Sequence, residues 1–281
     1  MVVNVNPFFV TGRIPAAYFC DRVVESKVLS QALLSQMNVV VTSPRRMGKT
    51  ALVDFVFQQE VIQKDYFTID VDILHTTCFK EFIYALGTAA YDKIASRSDK
   101  MKRLFIATLR SLSASFGYDP IQNTPTFDIK LGDITTPDYT LREIFNFMEQ
   151  ADKRCLVVID EFQQITKYPE KNIEAVLRSY IQKMSNANFV FAGSQRTVLE
   201  EMFLSSRRPF FQSAKLMQLD AIELSVYQDF VVGHFREGGK DINPEAVEVA
   251  YRSFRGVTLY MQRVMKDAYA TTPQGATCAE R

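Results

Sequence analysis

Asn38-Val39-Val40-Val41-Thr42-Ser43-Pro44-Arg45-Arg46-Met47-Gly48-Lys49-Thr50 is the stretch whose reading decides the fold. Its β-branched run predicts a short buried strand. An amphipathic stretch from Ala51 predicts a helix. Strand, loop ending Gly-Lys-Thr, then helix is the layout of a phosphate-binding loop. Backbone N–H groups of such a loop converge on an anion, and the helix N-terminus adds its positive dipole end. Lys49 is placed to neutralise outer phosphates and the Thr50 hydroxyl to sit on Mg²⁺. Gly48 lets the backbone approach a phosphate without a Cβ in the way. Ser43 stands where the strict loop pattern begins with Gly, at a position that closes the strand.

A second stretch supports the first. Cys155-Leu156-Val157-Val158-Ile159-Asp160-Glu161 is an apolar run ending abruptly in two acids. Ligands of open α/β sheets bind at the carboxyl ends of strands, where these acids emerge. Successive strand side chains face opposite ways. Asp160 is therefore expected toward a metal shell, and Glu161 toward a water in line with the outermost phosphate. The two stretches together predict a nucleotide-binding chain.

The 281 residues suffice for one large domain or one domain with a small appendage. A hydrophobic share of 47%, a charged share of 23% and a net charge of +1 are those of an ordinary globular protein. They give no global reason to expect nucleic acid or a membrane surface. Two local basic clusters, Lys100-Met101-Lys102-Arg103 and Arg207-Arg208, read as solvated faces or loops. Cys20, Cys78, Cys155 and Cys278 form no metal-type pair, and only His75 and His234 offer imidazoles, which argues against zinc. The amino terminus lacks a basic signal-peptide region, and no apolar run is long enough to span a bilayer. A cytoplasmic, reducing setting is expected.

Strand and helix patterns alternate through most of the chain. Helices are expected over 22–36, from Lys49, around Phe79–Leu86, over 104–116 and over 172–184. Strands are expected at 66–71, 188–193 and 215–219. Thr140-Leu141-Arg142-Glu143 has the form of a capping box opening a helix. Residues 117–137 read as loop, with a short strand at 126–131. Past Asp220 three helical patterns follow, at 226–235, 244–254 and 259–268, without a strand signal. The expected organisation is an α/β core over 1–220 and a small helical subdomain over 221–281, with five strands in a parallel sheet covered on both faces.

Phe19-Cys20-Asp21-Arg22 before a helix, Pro44 to Thr50, and Ile159-Asp160-Glu161-Phe162-Gln163 together resemble the archaeal-type ATPases, a branch of the AAA+/STAND P-loop ATPases also common in bacteria. Ala192-Gly193-Ser194-Gln195 matches that family's sensor strand, and Gly256-Val257-Thr258-Leu259-Tyr260 resembles its lid motif. The resemblance implies a three-layer sandwich with sheet order 5-1-4-3-2, followed by a helical lid. It implies ATP or ADP bound with Mg²⁺ by Ser43, Pro44, Arg45, Arg46, Met47, Gly48, Lys49 and Thr50, with Thr50 and Asp160 as metal ligands. Adenine would lie between the Phe19–Arg22 region and the lid, near Thr258. Glu161 and Lys49 would be catalytic, with Ser194 or Gln195 beside the γ-phosphate.

Departures from the family bear on rate and on partners. Thr258 stands where relatives carry Pro. Gln212-Ser213 replaces the Gly-Arg that follows the Pro-x-aromatic element in many relatives. A trans-acting arginine is missing there, leaving Arg207 and Arg208 as candidates or as a solvated loop pair. Arg45 and Arg46 are open to a phosphate contact, a neighbouring subunit or solvent. Relatives usually continue into a winged-helix domain, which this chain stops short of. Three functions compete: a slow Mg-dependent ATPase acting as a nucleotide-driven switch, a DNA-associated module whose ATP site gates nucleic-acid contact, and a degenerate nucleotide binder serving as an interaction platform. Intact Lys49, Thr50, Asp160 and Glu161 argue against the last. A homo-oligomer or a protein partner is left open, nucleic acid only for a longer form, and no membrane is expected.

Overall fold

The computed structural model describes residues 5–119, 124–127 and 130–278. In chain order the elements open with α1 (Val23–Leu34), β1 (Val39–Thr42), α2 (Lys49–Phe57), α3 (Glu60–Asp65), β2 (Tyr66–Asp72), α4 (Phe79–Lys93) and α5 (Asp99–Thr108). A hairpin of β3 (Phe116–Asp119) and β4 (Thr124–Phe127) follows, then α6 (Pro137–Glu149), β5 (Arg154–Asp160), α7 (Ile173–Ile181), β6 (Ala187–Gly193), α8 (Arg196–Leu204) and β7 (Lys215–Gln218). The chain continues through α9 (Leu224–Glu237), β8 (Asp241–Ile242), α10 (Pro244–Phe254), α11 (Thr258–Thr271) and β9 (Thr277–Cys278).

Two compact units form. One takes Leu29–Thr42 and Phe57–Met217; the other takes Met1–Val28, Ser43–Val56 and Gln218–Arg281. In the first, a five-stranded parallel sheet runs in the order β2-β5-β6-β1-β7. Counting only its own strands along the chain, that is the expected 5-1-4-3-2 read from the other edge. Every residue of β1 and β6 is buried, as is Cys155–Ile159 of β5. Strands covered on both faces must be apolar throughout, which is why they read as unbroken runs rather than alternations. Burying each such Val or Ile is worth about 1.5–3 kcal/mol. The parallel register pairs Thr42 with Gly193 and Asp72 with Asp160, so these strands end along one edge. α4 packs on β2 and α6, and α8 on β1.

The second unit has its own core. Phe8 near the amino terminus meets Phe235 and Tyr269 with ring centroids 5.8 and 5.9 Å apart. Ile222, Tyr227, Val231, Met261 and Met265 belong to the same cluster. Contacts thus group the amino-terminal segment and the loop 43–48 with the helices after Gln218. Among the described residues no helix is long and apolar enough to cross a membrane.

Four local expectations are corrected. The helix expected over 104–116 ends at Thr108, continues as a 3₁₀ segment, Arg110–Ser115, and Phe116 begins a strand. Where loop was expected over 117–137, β3 and β4 pair antiparallel; the strand expected at 126–131 is β4, Thr124–Phe127, and Leu131 opens a 3₁₀ turn, while residues 120–123, 128 and 129 lie outside the described residues. The third concerns the capping box, because α6 starts a turn earlier. Pro137 fits the first helical position, where no N–H is needed. Thr140 is consequently interior and fully buried, and Glu143 accepts from the backbone N–H groups of Arg110 and Ser111 instead. The last concerns strands after Asp220, where β8 and β9 pair two residues each, too few to leave a periodicity.

Candidate functional site

The loop after β1 is built by backbone exceptions. Gly48 has φ 91°, a region open to glycine at no steric cost, and Arg46 has φ 70°. Left-handed non-glycine residues cost on the order of 1–3 kcal/mol and cluster at functional sites. α2 begins at Lys49, which is 7% exposed, and the Leu52 N–H bonds back to the Gly48 carbonyl at 2.9 Å. Ser43 is fully buried and its hydroxyl donates to the Pro44 carbonyl, so it closes the strand end. Pro44, Arg45, Arg46 and Thr50 are exposed.

Within the same unit the loop's carbonyls are claimed by other segments. The Leu259 N–H donates to the Arg46 carbonyl at 3.1 Å and the Thr258 hydroxyl to that of Met47 at 3.4 Å. The Arg22 guanidinium, 5% exposed overall, donates to the carbonyls of Met47 (3.3 Å) and Asp220 (2.6 Å) and to Glu25 (2.7 Å). The Arg46 side chain lies over the Tyr260 ring, 5.1 Å from its centroid, and hydrogen-bonds the phenol oxygen. Arg22 and Arg46 are therefore not plain solvated charges.

These segments surround a cavity of about 340 Å³. Its wall takes in Phe19, Cys20, Arg22, the run Arg46–Ala51, Ile222, Thr258, Leu259 and Gln262. Phe19 stacks on Phe55 with centroids 4.2 Å apart and planes 6° apart, which fixes its ring. Burial pushes the Cys20 thiol up to about 12, with Asp21 adding to the rise and Arg22 opposing it, so Cys20 behaves as an apolar wall atom.

Asp160, Glu161, Ser194 and Gln195 belong to the sheet unit. Glu161 follows β5 at φ 55°, and its N–H donates to Asp160 Oδ1 at 2.9 Å. Its Oε2 accepts from Ser194 Oγ at 2.8 Å and from Gln163 Nε2. The turn is anchored by Phe162, fully buried against Phe191 (4.5 Å) and Phe210 (5.4 Å). Gln195 caps α8 without donating or accepting through its side chain there. Gln163 stood inside the quoted Asp160–Gln163 motif with no role assigned. Its position two residues after the acid is the signal that could have found it.

The backbone of Gly193 approaches Gln163 closely. A Cβ there would meet Gln163 Oε1 at 2.0 Å and Leu199 Cδ1 at 2.7 Å. Gly193→Ala is expected to cost about 1–3 kcal/mol of stability, the usual cost of overpacking. An unchanged denaturant midpoint would refute that packing account.

Arg208 is not a solvated loop residue. Its guanidinium pairs with Glu174 at 2.6 Å and with Glu201 at 3.6 Å. Burial holds the Glu174 carboxyl above its usual range, and the neighbouring Arg208 lowers it only in part. Arg207 remains exposed.

Residues 19–264 match the family described as an ATPase domain predominantly from Archaea. The chain belongs to that family. A Walker-type ATPase of Pyrococcus abyssi resembles this ATPase domain at a TM-score of 0.67 and 15% identity, over 94% of this chain and 72% of that one. The ORC1 protein of Aeropyrum pernix, in complex with DNA, gives 0.58 and 13%, over 90% and 60%. The ORC2 protein of the same organism, in ADPNP–ADP complexes, gives 0.58 and 15%, over 92% and 63%. The ATPase domain thus spans less than two-thirds of each ORC protein. At these identities the likeness is one of fold. No curated protein matches the sequence.

Proposed function

We propose that the chain binds ATP with Mg²⁺ and hydrolyses it slowly, as a cytoplasmic switch whose lid is the helical segment 221–281. The observation that carries this reading is the cavity walled by the loop run Arg46–Ala51 on one side and by Thr258, Leu259 and Gln262 on another. Its volume is that of a small-molecule site. The nine-residue α2 begins at Lys49, so helix-end N–H groups and an ammonium offer themselves to phosphates. The Thr50 hydroxyl and the Asp160 carboxylate are hard oxygen donors of the kind Mg²⁺ takes. Bound Mg²⁺ supplies charge neutralisation at the phosphates. Glu161, steadied by Ser194 and Gln163, is the group suited to orient and deprotonate a water, and Ser194 or Gln195 to sense the γ-phosphate. The switch role is supported by the lid bonds: Leu259 and Thr258 donate to carbonyls of the loop whose N–H groups would face phosphate, so a change in loop conformation on nucleotide binding would be felt by the lid.

Slow turnover follows from the arginine inventory. An arginine finger is worth roughly 10³–10⁵ in rate. Gln212-Ser213 holds the position where relatives carry one, and Arg208 is already paired with Glu174. Steady-state hydrolysis by the purified chain is expected below about one turnover per second. Faster turnover that survives Arg207→Ala and Arg208→Ala together would contradict this. A second copy or a protein partner is then the natural source of acceleration.

ATP-gated DNA contact is the second reading. It draws on the fold likeness to the ORC1 protein, whose structure is a DNA complex, against a net charge of +1. A salt-dependent mobility shift of labelled duplex DNA by the ATP-loaded chain would favour it.

A further inference from the structure

We propose that Tyr260 is a positioning residue for phosphate binding: it holds the Arg46 guanidinium and so fixes the left-handed turn on which the anion-binding shape of the loop depends. The inference rests on the nucleotide reading of that loop and names a residue that sustains it from outside the cavity wall. Left-handed backbone occurs at Arg46 (φ 70°) and at Gly48 (φ 91°), and Met47 between them has no such φ. Backbone that alternates in hand turns successive N–H groups into one concavity, which is how such loops take up an anion. Glycine adopts a positive φ freely. At Arg46 the Cβ makes it strained, so that turn persists only where its surroundings hold it.

What holds it comes from the first turn of α11. That helix has no side-chain cap at Val257, and the first N–H groups of a helix need partners from outside it. The Arg46 carbonyl takes the Leu259 N–H at 3.1 Å, so the backbone of the strained residue serves as the cap. One residue on, the Tyr260 ring centroid lies 5.1 Å from the Arg46 guanidinium carbon, and the phenol oxygen is hydrogen-bonded to the same group. The ring in turn packs on Phe254, with centroids 5.7 Å apart, which keeps it in place. Arg46 is thus gripped at its carbonyl and at its side chain. Among the described residues Tyr260 supplies the side-chain grip. A loop already held in its binding shape loses less freedom on taking up a ligand, and binds it more tightly.

The test measures displacement of a fluorescent ATP analogue by ATP and by inorganic triphosphate, both with Mg²⁺. Tyr260 is 36% exposed, so its substitution leaves the core alone. Tyr260→Leu is expected to weaken both competitors by the same factor, about tenfold, the order of a cation–π contact with its hydrogen bond. Tyr260→Phe keeps a ring beneath the guanidinium and is expected to stay within about threefold of the unmodified chain. In an Arg46→Gly background, where a positive φ needs no holding, Tyr260→Leu is expected to add nothing, the non-additivity of two residues acting as one unit. A residue that only supported the lid would weaken binding equally in both backgrounds. Unchanged affinity for both competitors in Tyr260→Leu would overturn the assignment while leaving the nucleotide site standing. So would a loss confined to ATP, which would place Tyr260 on the nucleoside, or a loss that persists in full beside Arg46→Gly. An Arg46→Gly chain that binds neither competitor would put the guanidinium itself on the phosphates and overturn it too. No binding of the analogue by the unmodified chain would remove the nucleotide reading, and this inference with it.

Discussion

Glu161→Gln is expected to lower ATP turnover by about 10²–10⁴-fold, the usual contribution of a positioned general base, while Mg-ATP affinity stays within about twofold. Phosphoryl transfer depends on positioning and charge stabilisation, so losing the group that orients water affects the rate and not the ground state. The substitution suits the site. A glutamine oxygen can still accept from Ser194 and Gln163, so the turn held by Phe162 has no reason to move. Its amide has no basicity to offer a water. Single-turnover hydrolysis and equilibrium binding, measured on the same preparation, separate the two effects. Hydrolysis at the parent rate would remove Glu161 from the mechanism, and a large loss of affinity would move it from hydrolysis to binding.

Lys49→Ala is expected to weaken ATP binding by about 100-fold or more. Truncating one partner of a buried charge pair typically costs 2–5 kcal/mol, and about 2.7 kcal/mol is a factor of 100. Lys49 is almost wholly buried at the first position of α2, where its ammonium sits at the helix end that would face the phosphates. Alanine is the best helix former, so α2 itself should persist. Unchanged affinity in a folded Lys49→Ala variant would show that the loop does not hold phosphate.

Much of this was legible in the sequence because the informative segments are extreme. β1, β5 and β6 are unbroken apolar runs, and parallel strands buried on both faces have to be. Their order came from resemblance, since periodicity carries no information on which strands pair. The β3–β4 hairpin escaped notice because its strands are four residues each and include Gly117 and Pro125, residues that punctuate strands. The capping box at Thr140 misled because Pro137, three residues earlier, is the stronger opening signal. Arg208 looked solvated because its partners, Glu174 and Glu201, lie on other elements.

The central claim, that loop 43–50 is a nucleotide site, is tested most directly by titrating the purified chain with ATP in a calorimeter, with and without Mg²⁺. The account predicts saturable one-to-one binding that Mg²⁺ strengthens and Lys49→Ala weakens by about 100-fold or more. No detectable heat at millimolar ATP, or binding that survives Lys49→Ala undiminished, would contradict it.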